Sequence, residues 1–324
     1  MTVTIGRFTS ETTRLDDAAR AGWLYYVAGN TQDEIARKLG VSRQTAQRLV
    51  AMAVSERLVK VRIDHPIGRC MDLSEAVKAT FDLRHCDVVP SDPDAPDLLT
   101  GVAIAAAAEL ELLLKSADPR IIALGTGRAL KATVEQLPAM ICPQHRIVSL
   151  LGNMMSDGSA TPYNAVIRMA DRVGARHYPY PLPVLARNAG ELAVMHGQET
   201  MRNTLRLSAE ADFTLVGIGQ LGPHGPIVVD GFMPPDVLAE LTKAGAAGEI
   251  TSWVYDGDGH LLDCGHNSRV TSAPLPRAVD RPVMAVAVGE AKVGAIRAAL
   301  RGHLINGLIT NEATAEKLLS ARKT

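Results

Sequence analysis

Residues 120–129 read RIIALGTGRA. Ile121 to Leu124 form a short apolar run, Gly125 to Gly127 make a turn, and Arg128 opens a segment with helical periodicity. A strand that leaves through a Gly-rich turn straight into a helix is the repeating step of an α/β fold. The step recurs along the chain. Further β-type runs stand at RIVSLL (146–151), FTLVGI (213–218), ITSWVY (250–255), VMAVAV (283–288) and LINGLIT (304–310). Helical patterns lie between them at 98–115, 128–137, 163–173, 188–207, 235–244, 290–301 and 312–320, with another at 73–81 ahead of the Pro/Asp-rich loop PSDPDAPD. Apolar runs separated by helices predict a mostly parallel sheet covered on both faces, a doubly wound α/β domain over residues 66–324.

Residues 1–65 have a different texture. RLDDAARAGWLYYVAG (14–29) places Leu15, Ala19, Trp23 and Tyr26 on one predicted helical stripe, ending at Gly29. Thr31 with Glu34 three residues on is a capping-box pattern for QDEIARKL, which should bury Ile35, Ala36 and Leu39 and stop at Gly40. Ser42 then caps a third helix, RQTAQRLVAMAVSERL, with Ala46, Leu49, Val50 and Ala53 inward. Its other face carries Arg43, Gln44, Gln47 and Arg48 with no acid among them. Two helices about a short Gly-containing turn, the second with long polar donors near its start, make a helix-turn-helix. Arg and Gln pair bidentately with guanine and adenine edges in the major groove, which a merely solvated hairpin does not require. The expected DNA-contacting set is Lys38, Ser42, Arg43, Gln44, Thr45, Gln47 and Arg48, with Arg48 and Lys38 on phosphates. LVKVRIDHP (58–66) reads as a short extended wing whose Lys60 and Arg62 reach phosphates too.

Composition bounds the rest. The 324 residues are 47% hydrophobic, enough for a large core and about two domains. The formal net charge is -1, yet residues 1–65 hold ten basic and seven acidic side chains, an asymmetry that suits a nucleic-acid module on a larger neutral body. Cys70, Cys86, Cys142 and Cys264 are scattered without metal-ligand spacing, so reduced thiols are expected and neither metal nor cofactor is called for. No run approaches the ~18–20 apolar residues of a membrane helix. MTVTIGRFTSETTRLDDAAR has no apolar signal core, so the expectation is a cytoplasmic protein with no membrane partner.

In doubly wound sheets ligands sit beyond the carboxyl ends of the strands. Those exits here are LGTGRA (124–129), LLGNMM (150–155), GIGQLGPHG (217–225) and VGEAKVGAI (288–296). The expected effector site is therefore Gly125, Thr126, Gly127, Arg128, Gly152, Asn153, Gly219, Gln220 and Lys292, the last in a first helical turn. Without a ligand, the glycines would be tight turns and Lys292 a solvated lysine. No GxSxG, HExxH or Walker pattern occurs. Asp263-Cys264-Gly265-His266 fits a polar turn better than a nucleophile pair or metal site. Asp256 and Asp258 read as hairpin-turn residues. His177, His196 and His303 are lone histidines with structural roles, and Trp23 and Trp253 belong to core or rim.

Together the two halves resemble one family. LYYVAGNTQDEIARKLGVSRQTAQRLV is similar to the DNA-binding end of SorC-family bacterial transcription regulators. GTGR, YPYPLPV (178–184), ADFTLVGIG (211–219), AGAAGEI (244–250), YDGDG and AVGEAKVGAIRAALRGHLINGLITNEATAEKLL are similar to their sugar-binding domain, in the same order over nearly the whole chain. The resemblance implies an effector domain related to sugar-phosphate isomerases and deaminases but inactive. It also implies a dimer or tetramer, and a ligand that is a sugar, a polyol or a sugar phosphate. It places the ligand at the GTGR loop, the loop after FTLVGIG and Lys292. This chain departs from the family pattern with Ala129 after the loop Arg, Val288 before Gly289, and Asn311 in ITNEA. A hydroxyl missing from an anion cradle removes a charge-assisted donor worth roughly 1.5–3 kcal/mol, which favours an uncharged sugar or polyol. The reading is a DNA-binding regulator, against an isomerase- or deaminase-like enzyme with an appended helical bundle; the outward Arg/Gln face of the third helix separates the two.

Overall fold

The computed structural model describes residues 10–56, 58–59, 67–155, 158–161, 163–276 and 278–320, with side chains from residue 14 onward. They divide into two compact units, Met1–His65 and Pro66–Thr324.

The first unit is three helices, α1 (Ser10–Tyr26), α2 (Gln32–Leu39) and α3 (Arg43–Ser55). The capping box before α2 forms in full: the Thr31 hydroxyl accepts from the Glu34 backbone N–H and Glu34 accepts from the Thr31 backbone N–H. Those bonds hold the Glu34 carboxyl below the usual carboxylate value. Gly40 closes α2 in the left-handed region at φ 67°, which a side chain would resist. Ser42 caps α3 by accepting from Thr45 N–H at 3.1 Å. Ile35, Ala46, Leu49, Val50 and Ala53 make the core, as their spacing predicts.

Helix α1 meets that core through a different face from the one read in the sequence. Ala18, Ala21 and Gly22 are buried, whereas Trp23 is 55% exposed and Tyr26 is exposed with it. The reason is close approach. A Cβ on Gly22 would stand 2.6 Å from Val59 and 2.7 Å from Ala53, so small residues face α3 and the aromatics turn outward. Lys60 and Arg62 of the expected wing lie outside the described residues.

The second unit opens with α4 (Gly68–Phe81), β1 (His85–Val89), α5 (Leu99–Leu114), β2 (Ile121–Leu124), α6 (Arg128–Gln136), β3 (Arg146–Ser149), α7 (Ala165–Val173) and β4 (Arg176–Tyr178). It continues through α8 (Ala189–Gly197), α9 (Glu199–Ala209), β5 (Phe213–Gly217), β6 (Gly219–Gln220), α10 (Pro226–Val229), α11 (Pro235–Lys243), β7 (Ala246–Ile250) and β8 (Trp253–Asp256). It ends with β9 (Val283–Val286), α12 (Val293–Arg301), β10 (Gly307–Asn311) and α13 (Glu312–Ser320). Seven strands form a parallel sheet in the order β1-β10-β9-β5-β2-β3-β4. Alternation within strands sorts the core: Ile122 and Leu124 pack with α5, α6 and α7, while Ala123 joins the opposite face with α12 and α13.

Four differences from the sequence reading have physical causes. Strands β1 and β4 are missing from the runs read in the sequence because both are sheet edges, half-solvated and polar: HCDVV and RHY. ITSWVY is not one parallel strand. Thr251 and Ser252 take φ of 49° and 72°, and the chain reverses there into the β7–β8 hairpin, which with β6 forms a separate antiparallel sheet. The helix expected over 188–207 breaks at Gln198, whose extended backbone separates α8 from α9. Lys292 ends a 3-10 turn (Glu290–Lys292) and caps α12 instead of sitting in its first turn. Among the described residues no helix is long and apolar enough to cross a membrane.

Candidate functional site

Arg43, Gln44, Thr45, Gln47 and Arg48 are all exposed on α3, opposite its buried side. Ser42 and Thr45 hold each other at 2.9 Å, fixing the first turn of the helix. One acid does approach this face: Asp33 of α2 lies 3.5 Å from Arg43. Both side chains are solvated, so the pair contributes little stability and can open for a ligand. Lys38 donates to Asn30, which holds its ammonium beside the turn preceding α2.

In the second unit the order of strands reverses between β2 and β5: β3 and β4 follow on one side of β2, β9 and β10 on the other side of β5. Above that switch point a cavity of about 260 Å³ opens. It lies just under the roughly 300–1,000 Å³ typical of drug-sized ligands, which fits something smaller. Thr126, Gly127, Arg128, Gly219, Gln220 and Lys292, read from the sequence as one site, all line it. Gly125 lies behind this wall, where an added Cβ would meet Thr251 at 3.3 Å. Gly152 and Asn153 do not line it. They border a smaller neighbouring pocket with Gly125 and Thr126, and Gly152 lies against the Leu182–Pro183 backbone, which a Cβ would strike at 2.4 Å.

Opposite charges stand close together in the cavity wall. The Arg128 guanidinium lies 2.9 Å from Asp230 and stacks 5.7 Å over the ring of Tyr163, whose hydroxyl donates to the same Asp230 oxygen at 3.2 Å. Burial, with Asp230 adding to it, raises the Tyr163 phenol above its usual value and keeps it a donor. Glu249 and Lys292 also line the cavity. Burial raises the Glu249 carboxyl and lowers the Lys292 ammonium, and each offsets part of the other's shift by attraction. Glu249 also accepts from Ser252 N–H at 2.8 Å. A Cβ on Gly219 would lie 2.0 Å from Glu249 Oε1, so a larger residue there would force the carboxylate out of its present position.

Two polar atoms in this wall have no partner, Gln220 Oε1 and Thr251 Oγ1. Thr251 and Ser252 are also two consecutive non-glycine residues at positive φ, a strained turn. Behind it, His266 donates through Nε2 to Ser252 O at 2.9 Å. Burial lowers its imidazole below the ordinary value, so it is neutral, with Nε2 carrying the proton. Asp263-Cys264-Gly265-His266 is thus a turn leading into a 3-10 segment and a support for the cavity wall. Among the described residues no three His, Cys, Asp or Glu gather as a metal site.

Glu249, Asp230, Tyr163, Thr251 and Ser252 escaped the sequence reading. Glu249 alone left a trace there, a single acid in the otherwise apolar and small AGAAGEI. Asp230 sits in VVDGF, which reads as a turn.

A switch-point cavity of this kind, lined by charges of both signs, defines a small-molecule-binding domain, and comparison with known proteins agrees. Residues 65–320 match the family model described as "Putative sugar-binding domain". The erythritol catabolism regulatory protein EryD of Brucella abortus is 32% identical over 302 residues, 93% of this chain and 96% of that protein. The transcriptional regulator LsrR of Escherichia coli K12 is 28% identical, covering 94% of each chain. The full-length sorbitol operon regulator SorC of Klebsiella pneumoniae superposes with a TM-score of 0.68 at 25% identity, over 95% of this chain and 100% of that one. The chain belongs to the SorC family of sugar-binding transcriptional regulators, and is a regulator, not an enzyme.

Proposed function

We propose that the protein regulates a carbohydrate or polyol catabolic operon from the cytoplasm, with operator binding through α3 controlled by a small sugar, polyol or sugar phosphate in the switch-point cavity. The observation that carries this reading is the cavity itself. Residues far apart in sequence converge there on a space too small for a large cofactor, with the Arg128–Asp230 ion pair, Lys292 and Glu249 in its wall. Two relatives are named for polyols, one for erythritol catabolism and one for the sorbitol operon. Arg43, Gln44 and Gln47 would read base edges, while Lys38 and Arg48 hold phosphates. One such unit reads half a site, so the working form is at least a dimer and, by family resemblance, a tetramer.

The test uses the full chain and operator fragments recovered from the host genome by binding selection. Lys292→Ala should retain operator binding without ligand and lose the response to whichever sugar or polyol releases or recruits the wild-type protein. A wild-type response in that variant removes Lys292, and the cavity with it, from the effector site.

A further inference from the structure

The charge arrangement in the cavity discriminates between the ligand classes that the proposed function leaves open. Among the described lining residues are three carboxylates, Asp97, Asp230 and Glu249, against two cations, Arg128 and Lys292. Arg128 is held by Asp230 at 2.9 Å and by the face of Tyr163, and Lys292 lies in the same wall as Glu249, whose negative charge attracts it. Asp97 is occupied too, accepting from Glu290 N–H at 3.1 Å. A phosphate entering here would share the Arg128 guanidinium with Asp230 and stand close to the Asp230 and Glu249 carboxylates, where like charges repel.

The same carboxylates favour hydroxyls. Those of Glu249 and Asp230 can accept hydrogen bonds from an alcohol O–H, whereas the oxygens of a phosphate dianion only accept and bring further negative charge. We infer that the effector is an uncharged polyhydroxylated molecule, a polyol or free sugar, and that the excess of carboxylates in the cavity wall, Asp97, Asp230 and Glu249 against Arg128 and Lys292, excludes its phosphate esters.

This rests on the cavity being the effector site, and the experiment keeps the two statements apart. The full-length wild-type chain is titrated by calorimetry and thermal shift with four- to six-carbon alditols and sugars, with the monophosphate ester of each, and with inorganic phosphate. Operator binding is followed in parallel. The expected result is saturable binding of at least one parent compound, with its ester bound at least about tenfold more weakly, the least that one unfavourable charge contact should cost. Inorganic phosphate should give no protection. Glu249→Gln, isosteric and one charge less negative, should narrow the gap between parent and ester. An ester bound more tightly than its parent, or protection by inorganic phosphate, overturns the exclusion of charge while leaving effector control standing. A parent that binds as expected but never alters operator occupancy overturns effector control while leaving the ligand class standing. Failure of every parent and ester to bind a chain that still holds its operator overturns both.

Discussion

Replacing Gly219 by Ala would put a methyl group inside the Glu249 carboxylate: 2.0 Å from Oε1, 2.8 Å from Cδ and 3.0 Å from Cγ. The two residues are register partners across β6 and β7, so neither backbone can move without breaking the small sheet. Overpacking of this size costs about 1–3 kcal/mol. In a domain this large, each kcal/mol lowers Tm by roughly 2–4 °C. All three clashing atoms belong to one side chain, which a double-mutant cycle exploits. In a Glu249→Ala background the same substitution meets none of them. There it should cost nothing, or stabilise by up to about 0.5–1 kcal/mol through the lower chain entropy of Ala. The four proteins would be unfolded by urea without ligand, and the coupling between positions 219 and 249 should be about 1–3 kcal/mol. Gly219→Ala alone should also blunt the effector response, because it displaces the carboxylate that Lys292 faces. An equal cost of Gly219→Ala in both backgrounds would refute the claim that Gly219 makes room for the Glu249 carboxylate.

Three further outcomes are expected. Gln44→Ala should weaken operator binding by roughly 1–3 kcal/mol with little effect on random DNA, whereas Lys38→Ala should weaken both alike and reduce the salt slope by about one; gel shifts at several salt concentrations check this, and equal loss on both DNAs for Gln44→Ala removes α3 as the reader. His266 is depressed below its ordinary 6.5 by burial, so the unfolded chain takes up its proton first, and the stabilising contribution is present above that value and lost as pH falls below it. His266→Gln should therefore flatten the fall of Tm on acidification, and an unchanged pH profile would show that the imidazole is not held neutral behind the Ser252 turn. Thr31→Ala removes the hydroxyl that caps α2 and should cost the first unit about 1 kcal/mol in thermal unfolding, a loss that Thr31→Ser should largely restore.

Local rules carried the first unit and the rhythm of the second. Capping side chains, Gly40 and the inward spacing of α2 and α3 act within a few residues, so Thr31, Glu34, Ser42 and Ala46 announce their roles in the sequence. The exits of β2 and β5 were legible for the same reason, since a Gly-rich turn after an apolar run is a local event. Helix α1 shows where this stops. Its amphipathic pattern favoured Trp23, but the face that packs was decided by how close α3 comes to Gly22. The cavity depended on tertiary structure still more. Asp230 meets Arg128 across 102 residues of chain, and Lys292 and Glu249 reach one cavity wall only because β6 and β7 fold back over the switch point. A carboxylate's partner is set by distance through space, and sequence spacing does not encode that distance once the chain has crossed the sheet.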